Sequence, residues 1–342
     1  MSSSGVIVGV GMSTPLGLDA RQSALVFRAR KLNPEKTEFR DRRGFAIGDV
    51  RARRLDDALV GRDRMLDLAA PALAEAVRGL DPAEPLPLFL AVPERRAEAE
   101  KPLGPDFLTE LSRRSKARLA LDRSEAFPAG HAAFAVALSR ALASVAARAH
   151  EGGRDRRPYA IVGGVDSHHD PAVLSALDEE RRLHGEGAWD GFIPSEAAAF
   201  VVIGPPGSAP AFARITSVAT GAEREEDPEN PSIGEAATEV VRAAAAGFRE
   251  HVPWVLCDVN GERHRVKEWS FVRIRNRDRF DEAKTIETRP YEELGDVGAA
   301  SGAVFAAYAS MAFRLGFAPA PRALVNLRSE GPARGAFVLE AP

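Results

Sequence analysis

The end of the chain repeats an arrangement already used in its middle. PYAIVGGVDS starts at Pro158 and PRALVNLRSEG at Pro321, each a short apolar strand running into a turn. Each follows a helix of small residues, GHAAFAVALSRALASVA from Gly130 and GAASGAVFAAYASMAFRLG from Gly298. Each is followed by a further apolar strand, EAAAFVVIGPP from Glu196 and ARGAFVLEAP from Ala333. Repetition of a whole supersecondary unit predicts two similar halves about a pseudo-twofold axis. The N-termini of the two repeated helices then meet near that axis, and a site is expected there.

The 342 residues, 45% hydrophobic and 28% charged, are enough for a sizeable core. A net charge of −3 gives no bulk attraction to nucleic acid or anionic membranes, so neither is expected as a partner. One cysteine, Cys257, excludes an intramolecular disulfide framework and fits a reducing, cytoplasmic setting. The opening MSSSGVIVGVG has no charged n-region and does not read as a signal peptide. No apolar run approaches the roughly 20 residues that span a bilayer.

Along the chain, Val6 to Val10 reads as a buried strand, with Ser13, Thr14 and Pro15 as cap and first turn of a following helix. Residues 28–64 read as surface loops with a short strand, Met65 to Leu80 as a helix and Leu86 to Val92 as a strand. Arg95 to Leu119 is charged and irregular. Gly130 to Ala149 is apolar on most sides and predicts a buried helix. EGGRDRR at 151–157 is a surface connector, and Tyr159 to Val162 a central strand. A helix near Ala172 to Leu183 and a strand at Ala197 to Ile203 follow. GPPGSAPA at 204–211 is the best boundary and divides an N-terminal half, 1–206, from a C-terminal half, 210–342. The second half opens at Phe212 to Ala219 and continues through an acidic loop from Glu223 to Pro231. A helix from Ile233 to Glu250, a strand from Trp254 to Val259, the turn NGERHR and a charged stretch from Val266 to Arg279, helical or extended, lead to the Gly298 helix and the last two strands. Short apolar strands with crossover helices imply largely parallel sheets. Two such sheets sharing buried Ala/Gly-rich helices give a five-layer α/β/α/β/α sandwich.

These residues resemble the thiolase-like fold of the β-ketoacyl synthases. GVGMSTPLG is similar to the family's opening strand and turn, and GGVDSHHDPAVL with GFIPSEAAAFVVI to the end of its first half. LGDVGAASGA and ALVNLRSEGPARGAFVLEAP resemble its second helix start and its final strand, glycine loop and strand. The resemblance runs through nearly the whole chain and implies the same α/β fold. A ketosynthase of this family carries a cysteine nucleophile at the N-terminus of the first buried helix, where the helix dipole lowers a thiol pKa. Two histidines from the second half assist it. Here the nucleophile position falls at Gly130 or His131 and the two histidine positions at Asn260 and Asp296. The gating loop reads RSEGPARG, with Arg328 and Glu330 where the family carries aromatic residues. Without a nucleophile there is no acyl-enzyme. The family includes chain-length-factor subunits that pair with an active synthase, and decarboxylating variants without the cysteine.

His131, at a positive helix end, is expected to stay neutral, either relaying a proton or filling the vacated cysteine site. Asp296 is expected as a plain N-cap or as the partner that orients His131. Asn260, before a glycine, reads first as a turn residue and second as an amide donor to a ligand. His264 has either the cleft or solvent open to it. Cys257 reads as core. His168 and His169, with Asp166 and Asp170, are adjacent on a strand end and do not predict a metal site. Glu196 matches a glutamate that the family uses structurally, and the arginines at 40–54 and 95–123 read as solvated rather than as a docking face.

The reading is therefore a ketosynthase-like protein of fatty-acid or polyketide metabolism without condensing activity, a partner or acyl- and carrier-binding scaffold. It is expected as a homodimer or as a heterodimer with an active ketosynthase, meeting an acyl carrier protein, with no cofactor or metal. The alternatives are an acyl-transfer or decarboxylating enzyme built on His131, Asp296 and Asn260, and a structural subunit with a filled cleft.

Overall fold

The computed structural model describes residues 4–29, 34–80, 84–96, 103–151, 158–185, 188–224 and 233–342. Nearly all of the connector expected at 151–157 and most of the loop at 223–231 lie outside them. The first half runs β1 (Gly5–Ser13), α1 (Ala20–Ala29), β2 (Glu35–Arg40), β3 (Ala46–Asp49), α2 (Gly61–Ala76) and β4 (Leu88–Val92). It continues α3 (Phe107–Ser115), β5 (Glu125–Pro128), α4 (Ala133–Glu151), β6 (Ala160–Ser167), α5 (Pro171–Glu179) and β7 (Glu196–Gly204). The second half runs β8 (Ala213–Ala222), α6 (Glu235–Ala244), β9 (Trp254–Cys257), α7 (Arg263–Arg275) and β10 (Ile286–Thr288). Then come α8 (Tyr291–Leu294), α9 (Ser301–Leu315), β11 (Arg322–Arg328) and β12 (Ala333–Glu340).

The duplication extends to strand order. With the β2–β3 hairpin set aside, each half lays down its first, last, fourth, second and third strands outward from the centre. These are β1-β7-β6-β4-β5 and β8-β12-β11-β9-β10. The halves join where Gly5–Ile7 of β1 pair with Ala213–Ile215 of β8. The boundary expected at 206–210 falls in the β7–β8 connection.

Alanine and glycine let α4 and α9 lie side by side in the middle, each against strands of both halves. One apolar cluster gathers their buried faces with the inner faces of both sets of strands, including Phe134, Val304, Phe305 and Phe337. Helices α2 and α3 cover the outer face of the first half, α6 and α7 that of the second. The result is the thiolase-like α/β/α/β/α sandwich.

Four expectations need correction. The sheets are mixed, not largely parallel: β4 pairs parallel with β5 and β6, and β9 with β10 and β11. The last two strands of each half run antiparallel because the chain re-enters at the end where it left. Ser13 and Thr14 do not cap a helix; Ser13 ends β1, and Thr14 closes a turn in which its N–H reaches Gly17 O at 3.1 Å. Helix α1 starts only at Ala20. Residues 95–119 contain a real helix, α3, which buries Phe107 and Leu111 while Glu110 pairs with Arg113 and Arg114. The charges hid its i, i+4 spacing. Finally, the Gly130–His150 stretch, with mean hydropathy 1.4, is long and apolar enough to cross a bilayer by length and composition. In the fold it is the core helix between the sheets.

Candidate functional site

Each central helix begins with a glycine at positive φ and one 3-10 turn: Gly130 (φ 63°) before α4, Gly298 (φ 53°) before α9. A side chain is excluded at both on two grounds. A Cβ at Gly130 would sit 2.8 Å from Glu94 Oε1, and one at Gly298 would collide with the Asp166 carboxylate. The helix caps cross between halves. Asp166, in β6, accepts the Ala299 N–H at 2.8 Å; Ser329, just after β11, accepts the Ala132 N–H at 2.9 Å. Asp166 and Ser329 occupy matching places in the repeat, so each half supplies an acceptor for the free donors of the other half's helix.

Three residues singled out in the sequence meet here directly. His131 Nε2 lies 2.9 Å from Asp296 Oδ1, and Asn260 Nδ2 donates to Asp296 Oδ2 at 2.6 Å. The Gly298 N–H also donates to Asp296 Oδ1, at 2.7 Å. Both readings of Asp296 hold: one carboxylate caps a helix and binds the histidine. Asn260 likewise serves its turn, accepting the Glu262 N–H at 3.2 Å, while its amide reaches Glu262 Oε2 at 2.9 Å. All three are buried.

The expected depression of the His131 pKa is corrected. Burial opposes charge on the ring, but the adjacent Asp296 carboxylate outweighs it, so the imidazole pKa is raised. Burial likewise opposes charge on Asp296, and His131 overcomes it, holding the carboxyl well below its usual range. The dipole argument failed because it omitted the anion. His168 behaves oppositely: burial and then Arg96 depress its pKa. Its Nδ1 lies 3.0 Å from Ser195 O. Two imidazoles whose pKa values are shifted in opposite directions therefore share the site, and sequence reasoning missed the second.

The site is closed by a charged loop. Glu330 is ion-paired to Arg265 and lies 3.0 Å from Arg182, and its N–H donates to Glu94 Oε1 at 2.9 Å. Arg265, 1% exposed at the side chain, also donates to Arg328 O at 2.9 Å. Arg182 holds Glu262 through two bonds of 2.7 and 2.9 Å. Among the described residues, His131, His168, Asp166 and Asp296 line a cavity of about 30 Å³. Arg182 and Arg265 gave no signal beyond surface charge, because the partner they share, Glu330, is distant in sequence.

The other candidates scatter. Cys257 is buried in β9, its thiol pKa pushed up by burial, so neither helix N-terminus carries a thiol. His169 Nδ1 pairs with Asp49 Oδ2 at 2.7 Å, away from His168, and Asp170 caps α5. Glu196 is fully buried and takes Arg64 (2.6 and 2.8 Å), the Ala52 N–H and Ser167 Oγ. His264 is half-exposed, 3.8 Å from Glu330 Oε2. Glu262, His264 and Glu330 have ligand atoms within 4.8 Å of one another, but both carboxylates are already committed to arginine. A cation would have to displace those guanidinium groups.

No protein-family model and no curated protein sequence matches the chain. Solved structures do. The ketosynthase from module 6 of the bacillaene synthase of Bacillus subtilis 168 matches with TM-score 0.73 and 14% identity, over 99% of this chain and 72% of its own. A type II polyketide synthase ketosynthase, bound to a hexaketide and solved with its acyl-carrier protein, matches with TM-score 0.74 and 15% identity over 100% of both chains. The ishigamide ketosynthase/chain length factor matches with TM-score 0.70 and 17% identity over 99% of both. At such identities the likeness is one of fold: the ketosynthase and chain-length-factor fold.

Proposed function

We propose that this chain is a non-condensing member of the ketosynthase fold, acting in fatty-acid or polyketide assembly as a non-catalytic partner or carrier-binding scaffold. One observation carries the reading. Where a condensing enzyme needs a nucleophile and space for an acyl thioester, this chain has the His131–Asp296–Asn260 cluster and a cavity of about 30 Å³. An imidazole whose Nε2 is already held by a carboxylate is poorly placed to attack a thioester or to take a proton from one. A chain built this way works through its surfaces, as one subunit of a homodimer or beside an active ketosynthase and an acyl carrier protein in the cytoplasm. The similar structures include a chain length factor and a ketosynthase in complex with its carrier protein.

The second reading, an acyl-transfer or decarboxylating enzyme built on His131, Asp296 and Asn260, draws on His168, whose pKa burial and Arg96 depress, beside the paired His131. One experiment separates them. The protein is incubated with malonyl- and acyl-thioesters of coenzyme A and of carrier protein, with intact mass and thioester loss followed over time. The scaffold reading expects unchanged mass and no loss above background, together with a stable complex with an active ketosynthase. Turnover that disappears in His131→Ala sinks it and establishes the enzyme.

A further inference from the structure

Away from the helix termini, a concavity of about 240 Å³ opens between the β2–β3 hairpin and the segment after α5. Its fixed cations, Lys36, Arg42, Arg43 and Arg181, face two carboxylates, Asp41 and Asp178. The described residues of the lining therefore carry net charge +2, in a chain whose total is −3. The two carboxylates hold backbone: Asp41 Oδ1 accepts the N–H groups of Arg43 (2.9 Å) and Phe45 (2.8 Å), and Asp178 Oδ2 that of Arg42 (2.8 Å). Among the described residues, none of the four cations has an ion-pair partner, although arginines elsewhere are widely paired. His184, also on the lining, adds a ring that can donate.

Aromatic rings adjoin the lining. Trp189, 79% exposed, stands beside His184, whose ring lies 6.3 Å away, and Phe45, 51% exposed, sits on the hairpin side. The described tryptophans other than Trp189 are buried. Unpaired guanidinium groups recognise phosphate oxygens, and exposed aromatic faces stack on flat rings and cations.

We propose that this concavity binds a phosphate or diphosphate group carried on a flat aromatic ring, a ligand of the nucleoside-phosphate class. The cations take the phosphates and Trp189 takes the ring. This site is independent of the ketosynthase-like reading.

The probe is ADP, titrated while following the long-wavelength tryptophan emission that Trp189 supplies. Binding gives a saturable change that pyrophosphate competes away. Adenosine alone binds at least about tenfold more weakly, because the charge-assisted bonds are lost. The double variant Arg42→Ala/Arg181→Ala weakens ADP by about tenfold or more, and Lys36→Ala/Arg43→Ala is an independent second pair. Trp189→Phe removes the optical signal, while calorimetry still detects weakened binding. No saturable response to millimolar ADP, equal affinity for adenosine, or wild-type affinity in a folded double variant overturns the proposal. So does capture of an acidic protein by this face in the absence of ADP binding.

Discussion

The N-termini of α4 and α9 are the same construction with opposite charge. Both begin with a positive-φ glycine, both continue through one 3-10 turn, and both borrow a cap from the other half. The α4 terminus is capped by a neutral hydroxyl, Ser329, and carries His131. The α9 terminus is met by two carboxylates, Asp166 and Asp296. A helix N-terminus favours anions and disfavours cations. The α9 end is therefore electrostatically self-consistent, whereas at the α4 end the His131 pKa is raised only because Asp296 reaches across from its twin. The difference teaches which residue leads. Asp296 is the anchor, with three donors on its carboxylate, and His131 follows its charge.

Removal of the anchor gives the largest expected effect. Asp296→Ala takes one of the two acceptors of the Asn260 amide, strands the Gly298 N–H and leaves the His131 ring without its anion. Loss of one partner from a buried charged cluster costs about 3–5 kcal/mol, read as a fall in the urea midpoint. NMR titration of the variant should find the His131 pKa lowered, as burial alone dictates. A variant as stable as wild type would show that the two termini are not coupled.

The glycines sharpen the contrast next. Alanine at either position meets a left-handed penalty of about 1–2 kcal/mol. At Gly298 the new Cβ also strikes Asp166, which is fixed by the Ala299 N–H and lies 2.9 Å from Arg96. At Gly130 it meets the far end of the Glu94 side chain, which can swing. Gly298→Ala should therefore cost about 3 kcal/mol and exceed Gly130→Ala in paired denaturation curves; equal losses would mean that Asp166 yields as easily as Glu94.

His131→Gln is expected to cost less than Asp296→Ala, since Asp296 keeps two donors and the dipole. Its effect depends on pH. A raised histidine pKa adds stability that is complete below about 6.5, the unfolded value, and vanishes as pH rises through the folded one. The depressed Asp296 pKa adds stability above about 3.9 that is lost as pH falls through its folded value. The gap between wild type and variant should thus be widest between about pH 4 and 6.5 and shrink at higher pH; a gap that grows with pH would mean that the imidazole is neutral.

The duplication was legible because it is written in local apolar patterns: GGVDS against NLRSE, Gly130 against Gly298. Helix α4 and strands β4 and β7 emerge from such patterns alone. The meeting of His131, Asp296 and Asn260 was legible only through the repeat and the family resemblance, since 165 residues separate the first two. Their ionisation was not legible, because a pKa depends on distances that no spacing encodes. Glu330 is the clearest case. As a letter it was a departure from an aromatic position, but in the structure it is the acidic partner of Arg265 and Arg182 on the lining of the cavity.

The smallest effect tests the neutral side of the comparison. Ser329 Oγ accepts the Ala132 N–H and donates to Ala129 O, so it ties the loop after β11 to the turn that opens α4. Ser329→Ala removes one cap at a helix whose flanks are packed on both sheets, and the loop stays held by Glu94 and Arg265. The expected loss is about 1 kcal/mol, the usual cost of deleting a hydroxyl cap. Ser329→Asp would place at α4 the same anion that Asp166 places at α9. If the asymmetry of charge is what distinguishes the termini, this variant should bring a second carboxylate near His131 and raise its pKa further, measurable by the ring proton shifts. An unchanged titration would mean that position 329 is too far from the imidazole to matter and that Asp296 alone sets its charge.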